Sequence, residues 1–194
     1  MLSIPESTNF TWRLSVKTAP KKPRFIIVAF QTPQDGDQTR NSSTFDHENL
    51  KNAYVTLNSD QYSAVDYNLS FANQKFSRMY GDAALFGVKF FGMDELITQC
   101  NVTPRYYKTL YPLFTFDVSK QKEKLKSSVV DIKIKAHFPE NVPANTRAFA
   151  LVISDKMLSF KSDGNKIPVV YYKNRNMHLL GINILRFNMI QLIH

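Results

Sequence analysis

A strict alternation of apolar and polar residues between Val130 and Phe138 constrains the fold of this chain more than any other feature of its sequence. Val130 and every second residue up to Phe138 are apolar, whereas the residues between them are an aspartate, two lysines and a histidine. Because successive side chains of a β-strand point to opposite faces, this pattern predicts a strand with one buried face and one face in water. The chain is therefore expected to be a β-protein whose sheets face water on one side.

Other segments show the same alternation or a short, continuous apolar run, and each predicts a strand. The predicted strands, in addition to 130–138, are residues 10–17, 24–31, 52–58, 67–71, 113–118, 148–153, 157–161 and 167–172. The run 25–30 has no polar member, so its strand is expected to lie at the centre of a sheet and to be covered on both faces. Ser162-Asp163-Gly164-Asn165 predicts a tight antiparallel hairpin between the last two strands.

The segments between the strands predict one long helix and several loops. Apolar residues at helical spacing predict a helix over 72–86, with an interruption at Gly81. Residues 94–99 predict a short helix, and 103–109 are expected to be irregular or helical. Residues 32–49, with a turn at 34–37, predict a long surface loop, and residues 120–126 predict a charged one.

Strands that do not alternate with helices favour an antiparallel arrangement over a parallel sheet. The predicted fold class is mainly β, an antiparallel jelly-roll sandwich of about eight strands with one helix in a long connection. A single domain is expected over residues 10–172, because 194 residues with 43% hydrophobic content suit one packed core. Residues 173–194 differ in composition and are interpreted as an atypical hydrophobic tail, either a docking arm or an out-of-frame extension.

The chain is basic, with 25 lysines and arginines against 16 acidic residues and a net charge of +9. Basic residues concentrate in 17–24, 120–135 and 156–173, and such clusters attract polyanions. The candidate polyanion contacts are Lys17, Lys21, Lys22, Arg24, Lys133 and Lys135. The alternative interpretation is that these residues simply cover the wet faces and loops of strands, where lysine is common.

Residue patterns that carry catalysis or bind metals are not found in the sequence. The four histidines are widely spaced and fall in different predicted elements, and His137 is expected to be an exposed structural residue. There is no glycine-rich phosphate loop and no nucleophile motif. We therefore predict no catalytic residue, no metal site and no cofactor. A lone cysteine, Cys100, and a start without a signal-peptide pattern favour the cytosol or nucleus, and no segment predicts a membrane span.

Seven phrases of the sequence are similar, in the same order, to one protein family. They are Phe25 to Thr32, Phe45-Asp46, Val55 to Tyr62, Asp66 to Phe71, Phe116 to Gln121, Ser128 to Ile134 and Glu140 to Thr146. Over roughly residues 11–170 the chain resembles the C-terminal jelly roll of the double jelly-roll major capsid-like proteins of small DNA viruses and of Polinton or Maverick-type elements in invertebrate genomes. Members of that family resemble two jelly rolls in tandem, whereas this chain has room for one.

The resemblance implies a non-enzymatic structural protein, viral or derived from an integrated viral element, that self-assembles through the edges and loops of its jelly roll. Its implied partners are further copies, in oligomers built on a trimer, and packaged DNA, with no membrane. Its implied location is a virion or the host cytoplasm or nucleus.

Two alternatives come from other classes of function. An intracellular β-sandwich module could bind nucleic acid or another polyanion through basic strand faces, with residues 120–135 as the contact region. A carbohydrate-binding jelly roll has only the fold in its favour.

Overall fold

The computed structural model of the chain describes residues 2–14, 23–33, 41, 43–63, 65–91, 102–121 and 130–154 with their side chains, and the backbone of three short strands beyond them. Several predicted features lie outside the described residues. They are the turn at 34–37, the helix at 94–99, most of the charged loop 120–126, the hairpin turn 162–165, and residues 173–177 and 181–194 of the tail. The domain boundaries stay a prediction.

The described elements are mostly short strands. In chain order they are β1 (Leu2–Ser3), β2 (Asn9–Leu14), β3 (Pro23–Gln31), β4 (Asn52–Leu57), β5 (Asp60–Tyr62), α1 (Ser77–Phe91), α2 (Pro104–Thr109), β6 (Phe114–Asp117), β7 (Ile132–His137), β8 (Arg147–Ser154), β9 (Ser159–Phe160), β10 (Val169–Val170) and β11 (His178–Leu180). Neither described helix has the length and apolar content that crossing a bilayer requires.

The first eight strands form two four-stranded antiparallel sheets whose pairing is nested along the chain. The first strand pairs with the eighth, the second with the seventh, the third with the sixth and the fourth with the fifth. The pairing of β3 with β8 and of β4 with β7 then joins these four pairs into a sheet ordered β1-β8-β3-β6 and a sheet ordered β2-β7-β4-β5. This is the wrapping of a jelly roll, and the predicted fold class is confirmed. Strands β9 and β10 pair with each other, and β11 pairs with β8.

The main core lies between the two sheets and is built from the inward-facing half of each strand. Ile26, Val28 and Phe30 of β3 meet the inner residues of the other sheet in one buried cluster. Strands β2, β4 and β7 bury every second residue, as their alternation predicts. Strand β3 instead is buried along almost its whole length, so the prediction of a strand covered on both faces is confirmed.

Helix α1 supplies the second cover of β3. Phe86 meets the Phe25 ring edge-on at a centroid distance of 5.1 Å, and Phe90 meets the same ring at 6.2 Å. Two polar contacts hold the end of the helix to the sheet, from the Arg24 guanidinium to the Lys89 carbonyl (2.7 Å) and from Lys89 Nζ to Asp117 (3.1 Å).

The predicted helix over 72–86 is correct in kind and wrong in its bounds. It begins at Ser77, because residues 71–74 form a turn in which Gln74 has a φ of 57° and Ser70 bridges to Lys75. It continues through Gly81 to Phe91. The cost of a glycine inside a helix is about 1 kcal/mol, which is small against the packing of two phenylalanines on the sheet.

One predicted strand near residue 65 is absent, and a strand that was not predicted is present. Residues 67–71 form no ladder, and Asn68 adopts a left-handed φ of 47°. Residues 59–63, which lie between the predicted strands 52–58 and 67–71, contain β5, since Asn58, with a φ of 55°, and Ser59 make a two-residue turn that pairs Leu57 with Asp60. Residues 103–109 are helical, because the Thr103 hydroxyl caps the helix and a proline follows it.

Removing a large side chain from the middle of the sandwich should destabilise the protein strongly. The Phe30 ring packs against Phe114 and Phe138 at centroid distances of 5.6 and 5.4 Å. We expect Phe30→Ala to lower the free energy of unfolding by about 3–5 kcal/mol, measured by chemical denaturation. Phe91→Ala, at a side chain that is 47% exposed, is the control and should cost less than about 1 kcal/mol. Equal losses in the two variants would contradict this description of the core.

Candidate polyanion-binding face

The outer side of the sheet β2-β7-β4-β5 is polar, and its side chains form cross-strand rows. One row contains Arg13, Lys133, Thr56 and Gln61; the next contains Thr11, Lys135 and Tyr54; the third contains Asn9, His137 and Asn52. We call these ten side chains the basic face. The residues that alternate with them on β2, β4 and β7 are buried, so nine of the ten side chains lie on the side in contact with water, and Gln61 of β5 is itself exposed.

An ion cluster lies at one end of the basic face. Arg13 Nε is 2.7 Å from Asp131 Oδ1, and Lys133 Nζ is 3.4 Å from Asp131 Oδ2. The hydrogen bond from Arg13 holds the pKa of Asp131 below its ordinary value, and Lys133 contributes in the same direction. The two cations share one carboxylate, so the cluster keeps a positive charge, and 72% of the Arg13 side chain stays exposed.

Lys135 and Tyr54 form a second feature in the middle of the face. The Lys135 ammonium lies over the Tyr54 ring, 5.5 Å from its centroid, and the two residues are directly opposite on neighbouring strands. This geometry is a cation–π contact. It places a cation next to a half-exposed aromatic ring, a combination that suits a phosphate next to a stacked base.

Two side-chain hydrogen bonds hold the third row. His137 Nδ1 lies 2.9 Å from Asn9 Oδ1, while the Asn52 amide donates to Asp66 at 2.7 Å. His137 is on the wet side of β7, where the alternation places it. These contacts orient polar groups at the border of the basic face and add no cation of fixed charge.

The structure brings together two of the six candidate polyanion contacts. Lys133 and Lys135 share the basic face, whereas Arg24 lies in the other sheet, against α1 and over the Phe25 ring at 5.5 Å. Lys17, Lys21 and Lys22 lie outside the described residues. Arg24 therefore does not join the two lysines in one surface.

Arg13 is the cation of this face that sequence reasoning missed. The alternation of residues 9–14 places its side chain in water, but its position next to Lys133 follows from the pairing of β2 with β7, strands separated by most of the chain. Within the described ranges, no group of three histidine, cysteine, aspartate or glutamate residues is placed to hold a metal ion.

The Arg13 hydrogen bond can be tested directly at Asp131. We expect Arg13→Ala to raise the pKa of the Asp131 carboxyl toward its ordinary value, because the largest cause of the lowered pKa is removed. A carbon-13 NMR titration of the carboxyl group measures this change. Lys135→Ala removes the same charge one row away and should move the titration midpoint less. An unchanged midpoint in Arg13→Ala would refute the shared-carboxylate geometry.

A family model described as a double jelly roll-like domain matches residues 2–158, which is 157 of the 194 residues. The matched region contains both sheets, both helices and the whole basic face. No curated protein and no solved structure matches the chain.

Proposed function

Because the chain belongs to the double jelly roll-like domain family, we propose that it is a non-enzymatic, capsid-like structural protein that self-assembles through the edges and loops of its sandwich. The proposal includes an origin in a virus or an integrated viral element of the Polinton or Maverick type. It also includes homo-oligomers built on a trimer, with a virion or the host cytoplasm or nucleus as the location.

The observation that carries the proposal is the free edge of β2. Among the described residues this strand pairs with β7 only. Thr8 and Phe138 are hydrogen-bonded to each other across this pair, so the alternation of an antiparallel ladder turns the backbone groups of Thr11 and Arg13 away from β7. Unpaired N–H and C=O groups of this kind are templates for pairing with another chain.

The loops supply a second set of surfaces for lateral contacts. The connection from β3 to β4 and the helical connection from β5 to β6 meet where the Phe45 N–H donates to the Leu110 carbonyl at 2.9 Å. Two long connections fixed to each other on a rigid sandwich can present a defined shape to a neighbouring copy.

Self-association of the purified chain is the central prediction. We expect light scattering to show discrete oligomers, with a trimer among them, whose fraction rises with protein concentration and does not require nucleic acid. Thr11→Pro removes an N–H on the free edge of β2 while keeping the ladder to β7, and it should lower the oligomer fraction. Thr11→Ala, which keeps the N–H, is the matched control.

A monomer at every concentration, with circular dichroism showing a folded protein, would overturn the proposal of self-assembly. Oligomers that persist in Thr11→Pro would exclude the β2 edge as the contact and leave the loops.

The basic face favours a second candidate function, the binding of nucleic acid or another polyanion, including packaged DNA. Its support is the placement of Arg13, Lys133 and Lys135 on one wet sheet surface next to Tyr54. Lysines on such a surface contact phosphates and release counterions, which makes affinity fall steeply with salt.

Neutralising Lys133 and Lys135 together tests this second function. We expect the double alanine variant to weaken binding of single-stranded DNA and to reduce the slope of log affinity against log salt by about 1.5. Lys75 and Arg105 are exposed basic residues outside the basic face, and their double alanine variant should bind like the wild type within about twofold if the face is the site. Equal effects of the two double variants would indicate attraction by net charge alone.

A further inference from the structure

The connection between β3 and β4 turns sharply at His47, Glu48 and Asn49. Glu48 and Asn49 have φ values of 47° and 48°, so two successive residues with side chains occupy the left-handed region. Such conformations are unfavourable for residues other than glycine and persist only where surrounding contacts maintain them. The turn is therefore a strained segment that depends on its neighbours.

Hydrogen bonds fix the chain on both sides of this turn. The Asp46 N–H donates to the Phe30 carbonyl at 2.8 Å, and Asp46 Oδ2 accepts from the N–H and the hydroxyl of Thr32 at 2.8 and 2.6 Å. After the turn, the Lys51 N–H donates to the His137 carbonyl at 2.9 Å, and within the turn the Leu50 N–H donates to the His47 carbonyl at 2.8 Å. The residues that can move are thus confined to the turn itself.

His47 closes the turn from inside. Its Nδ1 accepts the N–H of Asn49 at 2.9 Å, which requires a neutral ring with the proton on Nε2. The ring stacks on Phe71 with centroids 4.2 Å apart and planes 8° apart. Burial lowers the pKa of His47, the charge of Lys108 on α2 acts in the same direction, and Asp46 opposes them.

Glu48 places one of its two carboxyl oxygens in an unfavourable environment. It is half-buried, solvent does not reach its Oε1, and among the described residues that oxygen has no hydrogen-bond donor. Burial raises the pKa of Glu48 to about 7, and the neighbouring carboxylate of Asp46 adds to the effect. The two hydrogen bonds from Thr32 to Asp46 Oδ2 hold the Asp46 carboxyl group in place beside Glu48.

We propose that Glu48 is a proton-controlled latch on the β3–β4 connection, closed when its carboxyl is protonated and opened when the ionised carboxylate leaves a position in which no described residue donates to its Oε1 and moves into water. Opening breaks the Asn49 N–H bond to the His47 ring and the Leu50 N–H bond to the His47 carbonyl, and it relieves the left-handed backbone at two residues. The latch does not depend on self-assembly, although it acts on one of the two long connections described above.

The direction of the pH dependence follows from the two titrating side chains. Between the ordinary pKa of 4.5 and about 7, the closed turn holds a proton on Glu48 that the open turn releases, so opening becomes easier as pH rises and levels off above about 7. His47 acts in the opposite sense. Below the ordinary pKa of 6.5 its ring binds a proton in the open turn but stays neutral in the closed turn, so opening becomes easier as pH falls. The two effects oppose each other below pH 6.5. Between pH 6.5 and about 7 only Glu48 still titrates, so Glu48 determines how readily the turn opens near neutral pH.

Amide hydrogen exchange followed by NMR at pH 5.5 and pH 8 tests the latch. We expect protection of the Asn49 and Leu50 amides, corrected for intrinsic exchange rates, to be about tenfold lower at pH 8 in the wild type. Glu48→Gln keeps the shape of the side chain and cannot ionise, so its protection should not fall at pH 8. Because only His47 then titrates in the turn, its protection should be the same or lower at pH 5.5. Glu140→Gln, at an exposed residue, is the matched control and should behave like the wild type.

His47→Asn separates the contribution of the histidine. An asparagine oxygen can accept the N–H two residues further on, as in an Asx turn, so this variant keeps the hydrogen bond without a titrating ring. His47→Asn should still lose protection at the Asn49 and Leu50 amides at pH 8, since the ionisation of Glu48 causes that loss.

Three results would overturn the proposal. They are equal protection at both pH values in the wild type, an equal loss at the amides of β3, which would indicate global unfolding, and a loss that persists in Glu48→Gln. If Glu48→Gln does not fold, a carbon-13 titration of the wild-type Glu48 carboxyl decides, with a midpoint near 7 expected and one near 4.5 contradicting the latch.

Discussion

The pairing of β3 with β8 is the constraint on which the rest of this structure depends. Both strands carry apolar side chains on both faces, so this central pair cannot border water on either side. The inner side chains meet the second sheet, while Phe25, Ile27, Leu151 and Ile153 form a separate cluster on the outer side. Burying side chains of this size stabilises a protein by about 1.5–3 kcal/mol each, so the four of the outer cluster together contribute about as much as a net stability of about 5–15 kcal/mol.

The outer cluster explains why the connection from β5 to β6 is long and helical. Helix α1 lays Phe86 and Phe90 on this cluster, and Leu113, just before β6, joins it. The second sheet has no such requirement, because its strands alternate and their outer side chains are polar. The sandwich is therefore asymmetric, with one sheet covered by its own chain and the other presenting lysines, an arginine and a tyrosine to its surroundings.

Sequence reasoning succeeded where the physical signal is local. The alternation of residues 130–138 predicted the wet side of β7, and the unbroken apolar run 25–30 predicted a doubly covered strand. It failed where short segments depend on a single turn, as at β5, where the left-handed Asn58 decides between a hairpin and a break. Helix α1 was displaced by a turn at Gln74 that composition does not indicate.

The candidate site was predictable only in part, for a related reason. Lys133 and Lys135 share a strand, so their common face follows from period two alone. To include Arg13 in the basic face and to exclude Arg24 from it, one must know which strands are neighbours. Nested pairing places residues side by side that are far apart in the chain. The strained turn at Glu48 left no signal in the sequence, because its geometry is set by contacts with β3 and Phe71.

Nested pairing also limits the order in which the strands of this protein can pair. The β4–β5 hairpin closes across a two-residue turn, whereas the outermost pair joins Leu2 to Ala148. A ribosome delivers β1, β2 and β3 long before the partners of those strands exist, so the apolar faces of these three strands must wait for β6, β7 and β8. Topologies of this kind fold slowly, because distant segments have to meet before their contacts stabilise them. The first sheet thus cannot be completed until β8 has been made, because β1 and β3 both pair with that strand.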